Sequence, residues 1–473
     1  MGTEMGREPA TARSVRMRGR IVCGVAGEAR RSVPAVRAAP GVRASRMLGR
    51  VLPVSELDYA LDEASIATHP VEPRDQARML VVHLGPGPAW PRSVERVEHR
   101  RVADLPEYLR PGDAMVVNRT SVVAARFKAR RVGDGRQAEG LFTDVVASCP
   151  DGRTWNALLR HAARYHPGEE LELLPPDGGA PRHSVTLLER TREGWRLRFP
   201  GGPAPEAVMA DSGWTPLPPY ILKARRDLHP GERTDDRADR RWYQTLFARR
   251  DGHPSVAAPT AGLHFTPGLL ETLARAGVAT HQLALQVGIG TFKPVEAATL
   301  EEHPMHAEWF SVPAATVGAL DAFARQHLPG GARLLAVGTT SVRVLESLPP
   351  PGEGEAAGWP PGWLPEFHRE ADGSLHGQSR LLISPGWRFR RVEHLLTNFH
   401  LPRSTLMALV GAFTGLPALR ELYALAQREG YRFYSWGDAM LILSGRAAAS
   451  ADTTSAGTRA SRDQGPGAVH AVG

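Results

Sequence analysis

The sequence predicts an α/β fold: a layered α/β domain with a small antiparallel β-barrel inserted into it. Three observations predict this. Residues 54 to about 126 mix extended and helical patterns. From about 127 to 215 the pattern changes to short strands separated by turns, the spacing of a small antiparallel barrel. After Leu217-Pro218-Pro219, strand and helix signals alternate to the end, as in a layered domain. The α/β domain is therefore read as discontinuous, 47–126 and 216–445. The barrel, 127–215, is inserted, and disordered extensions lie at 1–46 and 446–473.

The extensions carry the charge. The chain of 473 residues has a formal charge of +8. Ten Arg and three Glu in 1–46, with three Arg and two Asp in 446–473, account for all of it. The surplus is thus no nucleic-acid signal by itself, and any RNA-binding face must come from local clustering. The first segment can be read as an Arg-rich transit peptide, or as an extension with Met47 nearer the true start.

In the first part of the α/β domain, Arg110-Pro111-Gly112-Asp113 makes a turn before the apolar Ala114-Met115-Val116-Val117. In the barrel region, Asp144-Val145-Val146, Leu171 to Leu174, Ser184 to Leu188 and Trp195 to Phe199 are strands. Pro150-Asp151-Gly152, Pro176-Asp177-Gly178-Gly179 and Arg192-Glu193-Gly194 separate them.

Four polar junctions follow, each after an apolar run. Val256 to Ala258 reads as the end of a buried strand, leading into Pro259-Thr260-Ala261-Gly262-Leu263-His264. Thr266 is then an N-cap, Pro267 takes the first helical position, and Gly277 stops the helix. Leu283 to Val287 leads into Gly288-Ile289-Gly290-Thr291. Arg333 to Val337 leads into Gly338-Thr339-Thr340-Ser341, where hydroxyls and free N–H groups at a helix start suit a carboxylate, phosphate or ribose. Leu395-Leu396 leads into Thr397-Asn398-Phe399-His400. Open α/β sheets bind ligands beyond the carboxyl ends of their strands, so four such loops point to one composite site.

The run Pro349 to Trp363 reads as a surface loop. The last helices are core: Leu406, Leu409, Val410 and Phe413, then Gly415, then Leu419, Leu422, Tyr423 and Ala426.

Composition excludes several chemistries. Cys23 and Cys149 are too few for a thiolate-held iron–sulfur cluster or a Cys-rich zinc site. Only Lys128, Lys223 and Lys293 are available for a Schiff base. No stretch reaches the apolar length of a membrane span. The absence of an export signal and of disulfide pairs points to the cytoplasm.

The motifs resemble those of the S-adenosylmethionine:tRNA ribosyltransferase-isomerase family of queuosine biosynthesis. The resemblance rests on Pro259 to Phe265, Val287 to Val295, Met305-His306-Ala307-Glu308 and Ala336 to Arg343. It continues through Thr397 to Pro402, Tyr431-Arg432-Phe433 and Gly437-Asp438-Ala439-Met440, with weaker matches at Arg74-Asp75, Gly112-Asp113, Asn118-Arg119-Thr120, Ala125-Arg126 and Leu217 to Tyr220. These run in order from about 54 to 443. Three positions depart from the family pattern: Gln286 stands for His, Ser121 for Arg, and Trp436 for a Tyr-like residue.

The resemblance implies transfer and isomerisation of the ribosyl part of S-adenosylmethionine onto 7-aminomethyl-7-deazaguanine in a tRNA anticodon, with adenine and methionine released. S-adenosylmethionine would be a co-substrate, with no permanently bound cofactor, no metal and a monomeric enzyme. The sulfonium acidifies the ribose C5′ protons, adenine needs a donor as it leaves, and the amine must be deprotonated. These are general acid–base tasks. The candidates are His264, His306, Glu308, His400 and Asp438. His264 is placed nearest the proton transfers, and His306 and Glu308 would share a strand face. Thr260, Gly262, Gly288, Gly290, Thr339, Thr340, Arg343 and Asn398 are candidates for substrate binding, and Arg126, Arg130 and Arg131 for tRNA. The blander readings are a histidine packed under a loop for His264, an ion pair for His306 and Glu308, a cap for Asp438 and the Gly338-Thr339-Thr340 turn, and solvated charge for the arginines. Two other functions stay open: a methyltransferase using the same cofactor on tRNA, and a non-catalytic nucleotide- or RNA-binding paralogue.

Overall fold

The computed structural model describes residues 51–87, 90–145, 149, 151–192, 194–249, 255–288, 294–327, 331–348 and 366–445. The two terminal extensions and the 349–363 loop lie outside the described residues.

In chain order the strands of the larger sheet are β1 (Arg78–Leu84), β2 (Val94–Arg101) and β3 (Ala114–Asn118) before the barrel. The barrel strands are β4 (Arg126–Arg131), β5 (Gln137–Val145), β6 (Thr154–Leu159), β7 (Glu170–Leu174), β8 (His183–Arg190) and β9 (Trp195–Arg198). After it come β10 (Ala279–Leu285), β11 (Glu308–Val312), β12 (Leu334–Val337), β13 (Glu366–Arg369), β14 (Leu375–Ser379), β15 (His394–Asn398) and β16 (Ala439–Ser444). The ten-stranded sheet runs β13-β14-β11-β10-β3-β12-β15-β16-β1-β2, and the six barrel strands close in the order β4-β5-β6-β9-β8-β7. This is the α/β layer with a closed antiparallel barrel that the patterns predict.

The barrel closes because its strands alternate. Leu171 and Leu173 of β7 point inward and are fully buried, while Glu170 and Glu172 between them are not. Phe127, Phe142, Trp155, Trp195 and Phe199 fill the interior, as a small barrel requires. Gly140 is obligatory, since a Cβ there would stand 2.3 Å from the Phe127 ring.

The middle of the large sheet, β10-β3-β12-β15, is parallel, so its strands read as continuous apolar runs. All five residues of β3 and all four of β12 are buried. Helices cover the sheet. Pro267–Arg275 (α4) is capped by the Thr266 hydroxyl, which accepts from the Leu269 N–H at 3.2 Å. Thr339–Ser347 (α6) follows β12 directly. Thr405–Thr414 (α7) and Leu416–Arg428 (α8) meet at Gly415 and bury the residues their spacing predicts. Helices α1 to α3 and α5 are Pro205–Ser212, Pro219–Leu228, Asp236–Trp242 and Ala314–Ala322.

Two expectations fail here. Val256 to Ala258 is buried but is no strand: only Ser255 bridges, to Val122, and Pro259 cuts the run short. His306 lies in the coil before β11, which starts at Glu308, so the two do not share a strand face.

Candidate active site

The carboxyl ends of β10, β3, β12 and β15 lie along one edge of the sheet, because these strands run parallel in near register. The 3₁₀ turn Thr260–His264 crosses this edge against β15. It comes close to Gly338, whose φ of 87° only glycine holds without strain. A Cβ at Gly338 would lie 3.5 Å from the Ala261 methyl and 3.6 Å from Thr340 Oγ1. Ser255 ties the same loop to β10, donating to the Ala257 carbonyl at 2.7 Å and accepting from the Val287 N–H at 3.1 Å.

His264 is buried inside this cluster. Asn398 Nδ2 stands 3.2 Å from His264 Nε2 and donates to the Tyr434 carbonyl at 3.1 Å. The carbonyl contact sets which way the amide faces, so the amide offers its second hydrogen to Nε2. Nε2 is then the acceptor, and the neutral ring carries its proton on Nδ1, a tautomer assigned from these partners. Burial, helped by the charges of Arg432 and Arg74, pushes the His264 pKa down to about 3. Tyr434 adopts a left-handed backbone, φ 72°, to present that carbonyl. Two buried polar atoms at this edge, Asn398 Oδ1 and Thr340 Oγ1, have no hydrogen-bond partner. Such atoms are uncommon in folded chains, and two together at the strand ends mark a place where a bound group can supply the partner.

Beside the cluster a cleft of about 710 Å³ separates the sheet from the barrel. Gln286, Gly288, His303, His306, Glu308, Trp309 and Arg343 line its sheet side, and Thr143, Asn156, Arg192 and Arg196 its barrel side. Glu308 and Arg343 form a buried ion pair in its floor. Glu308 Oε1 also accepts from the Gly288 N–H at 3.3 Å. Thr340 and Arg343 lie three apart on α6, hence on one face, which links the His264 cluster to the cleft.

The structure thus brings His264, Thr340 and Asn398 together at the strand ends, with Thr260, Gly262 and Thr339 in the surrounding turn and helix start. Gly288, His306, Glu308 and Arg343 share the cleft. Gly290 lies outside the described residues.

His400 and Asp438 have hydrogen-bond partners of their own. His400 Nε2 lies 2.7 Å from Thr397 Oγ1, and burial pushes its pKa down to about 3. Its backbone is held on both sides, the N–H donating to Tyr423 and the carbonyl accepting from Tyr59. Asp438 accepts from the backbone N–H of Arg432 at 2.8 Å and of Arg78 at 3.1 Å, a buried clasp that positions Arg432. Neither lines the cleft.

The three arginines expected to meet tRNA are also engaged. Arg126 Nε donates to Glu139 at 3.0 Å, Arg130 Nη2 to Glu172 at 2.7 Å and Arg131 Nη2 to Glu169 at 2.7 Å. The strand register sets Glu172 directly opposite Arg130, while Glu139 and Glu169 reach Arg126 and Arg131 diagonally, two residues from their Leu141 and Leu171 partners.

The three departures from the family pattern sit in defined local surroundings. Ser121 works through its carbonyl, which accepts from the Ser255 N–H at 2.9 Å. Gln286 donates its backbone N–H to the Trp309 carbonyl and is one of the residues lining the cleft. Trp436 packs edge-on against Trp242 and Tyr243.

Sequence reasoning missed Tyr434 and Ser255. Nothing local marks a left-handed Tyr, whereas a Ser just before a buried Ala-Ala-Pro run is a usable signal. Among the described residues no group of three or more His, Cys, Asp or Glu could hold a metal ion. No helix there is long and apolar enough to cross a membrane.

Comparison with known proteins identifies the family from the sequence. A sequence profile described as "Queuosine biosynthesis protein" matches residues 54–442. S-adenosylmethionine:tRNA ribosyltransferase-isomerase of Nitrobacter winogradskyi is 42% identical over 403 residues, 83% of this chain and 98% of the relative. The protein of that name from Moorella thermoacetica is 41% identical over 397 residues, 82% of this chain and 99% of its own length. A crystal structure of S-adenosylmethionine tRNA ribosyltransferase from Thermotoga maritima is 32% identical, covering 82% of this chain and 100% of that one, with a TM-score of 0.40.

Proposed function

The chain belongs to the queuosine biosynthesis protein family, and from that premise we propose how its strand-end cluster and its cleft divide the work of the reaction. It is a transferase and isomerase: it moves the ribosyl part of S-adenosylmethionine onto 7-aminomethyl-7-deazaguanine of tRNA, isomerises it, and yields epoxyqueuosine-tRNA, adenine and methionine. S-adenosylmethionine is a co-substrate whose sulfonium makes the ribose C5′ protons acidic.

We assign His264 to the departing adenine. Its depressed pKa rules it out as a strong base, and Nε2 is already engaged by Asn398. What it offers is the Nδ1–H, a neutral donor in a dry site, where a hydrogen bond to developing charge is strongest. Asn398 Oδ1 and Thr340 Oγ1 take donor and acceptor groups of the nucleoside. In the cleft, Glu308 is locked by Arg343 and Gly288, which orients the floor. His306 faces the cleft beside it and is the group we assign to proton exchange with the aminomethyl nucleophile. His400 and Asp438 position the loops rather than carry protons.

The observation that carries this reading is the His264–Asn398 contact beside two unpartnered buried polar atoms. Product analysis tests it. Incubation with S-adenosylmethionine and tRNA bearing the aminomethyl base yields adenine; S-adenosylhomocysteine instead of adenine would make the chain a methyltransferase.

We divide the chain into a catalytic domain, 47–126 with 216–445, and an inserted barrel domain, 127–215. Val208 and Met209 of α1, just after the last strand, pack into the barrel core, which supports that boundary. We place the enzyme in the cytoplasm, where its tRNA substrate is found. We infer a monomer, since only six large apolar side chains are exposed among the described residues.

A further inference from the structure

The cleft-facing end of the barrel carries positive charge that the carboxylates among the described residues only partly neutralise. Across 157–166 and 189–196 there are five arginines against two glutamates. β6 pairs with β9 so that Ala157 faces Trp195, which sets the β8–β9 turn beside the residues that follow β6. Trp195 Nε1 donates to the Ala162 carbonyl at 3.1 Å and pins the Ala162–Arg164 turn there. Arg164, Arg190 and Arg192 are all exposed, and among the described residues none of them pairs with a carboxylate. Arg160 reaches only Glu139, at 3.6 Å, an acid that Arg126 already holds. Arg192 also lines the cleft.

The opposite wall of the cleft carries an aromatic side chain turned to solvent. Trp309 is 44% exposed, next to the buried Glu308 on β11. An exposed indole across a cleft from Arg192, with Arg190 two residues before it in the chain and Arg164 in the adjoining turn, is the pairing that single-stranded RNA binds: guanidinium for phosphate, ring for base.

We propose that Arg164, Arg190 and Arg192 hold backbone phosphates of the anticodon loop while Trp309 stacks on one of its unpaired bases. The barrel is then the RNA-docking module, and it acts through the turns at this end rather than through β4. The proposal rests on the reading of tRNA as substrate. Seating the loop on the cleft mouth points the target base toward the Glu308–Arg343 floor.

The test uses the full-length enzyme and an anticodon stem–loop bearing the aminomethyl base. The combined Arg164→Ala, Arg190→Ala and Arg192→Ala variant raises KM for the RNA on the order of tenfold and leaves KM for S-adenosylmethionine unchanged. Its plot of log affinity against log salt is shallower by about two, the slope three single-strand phosphate contacts contribute. Trp309→Ala weakens RNA binding at least fivefold and Trp309→Phe restores most of it, as stacking requires. Arg275→Ala, on α4 at the other end of the sheet, changes neither quantity. Wild-type RNA affinity and salt slope in the triple variant would overturn the proposal while leaving the activity in place. Failure of the unaltered enzyme to release adenine with this RNA would sink the functional reading, and the proposal with it.

Discussion

Asn398 stands between two groups, its Nδ2 3.2 Å from His264 Nε2 and 3.1 Å from the Tyr434 carbonyl. A strained backbone at Tyr434 thereby decides the tautomer of an imidazole more than a hundred residues away in sequence. Asn398→Asp reverses this logic. The carboxylate would accept from His264, move the proton to Nε2 and repel the Tyr434 carbonyl. Adenine release should fall by about 10²-fold or more, the usual weight of a positioned proton donor. Nitrogen NMR of the His264 ring should show the proton moved from Nδ1 to Nε2.

His264→Gln removes the Nδ1–H from its place without opening a large cavity. Adenine release should be lost by a similar factor, while the thermal midpoint stays within a few degrees of the parent, as about 1 kcal/mol implies. Turnover near the parent value would remove His264 from the mechanism.

Glu308→Gln leaves the Arg343 guanidinium buried without its counter-ion. Breaking a buried pair from one side costs about 3–5 kcal/mol. Urea unfolding should show a loss of that order. The double variant Glu308→Gln with Arg343→Met should recover much of the stability and none of the activity.

Gly338→Ala tests the close approach at the start of α6. A side chain at φ 87° costs about 1–3 kcal/mol. The added methyl also meets Ala261. KM for S-adenosylmethionine should rise, because the strain displaces Thr340 and the turn that carries His264.

Stability should be acid-sensitive. His264, His394 and His400 are buried, and burial pushes each pKa down to about 3. Unfolding lets each ring take up a proton near its ordinary 6.5, so stability is full above about 6.5 and drains as pH falls toward 3. The loss is about 1.4 kcal/mol per pH unit for each histidine. Glu393, raised to about 7 by burial, works oppositely between its ordinary value and 7, and offsets about one of the three. The urea midpoint should therefore drop between pH 7 and pH 5, and His400→Asn should make that drop shallower.

Much of the scaffold was legible because it depends on neighbours in sequence. Thr266 and Pro267 announce α4, Gly415 separates two amphipathic helices, and Leu171 and Leu173 alternate into the barrel. The site was legible only in part, because its logic is long-range. Arg130 looks like an RNA contact until Glu172, 42 residues on, is seen to hold it. Asp438 looks like an acid until its oxygens are found capping the Arg78 and Arg432 amides. Val256 to Ala258 has the apolar character of a strand, yet among the described residues only Ser255 before it pairs, with Val122. Conversely, Arg190 and Arg192 carry no motif at all, and only the closed barrel shows where they face.

Ribose transfer itself bears most directly on the whole account. S-adenosylmethionine labelled in the ribose carbons, incubated with tRNA carrying 7-aminomethyl-7-deazaguanine, should pass its label into the tRNA in step with free adenine. The His264→Gln enzyme should do neither. Label that stays in small molecules, or that enters tRNA equally well without His264, would contradict it.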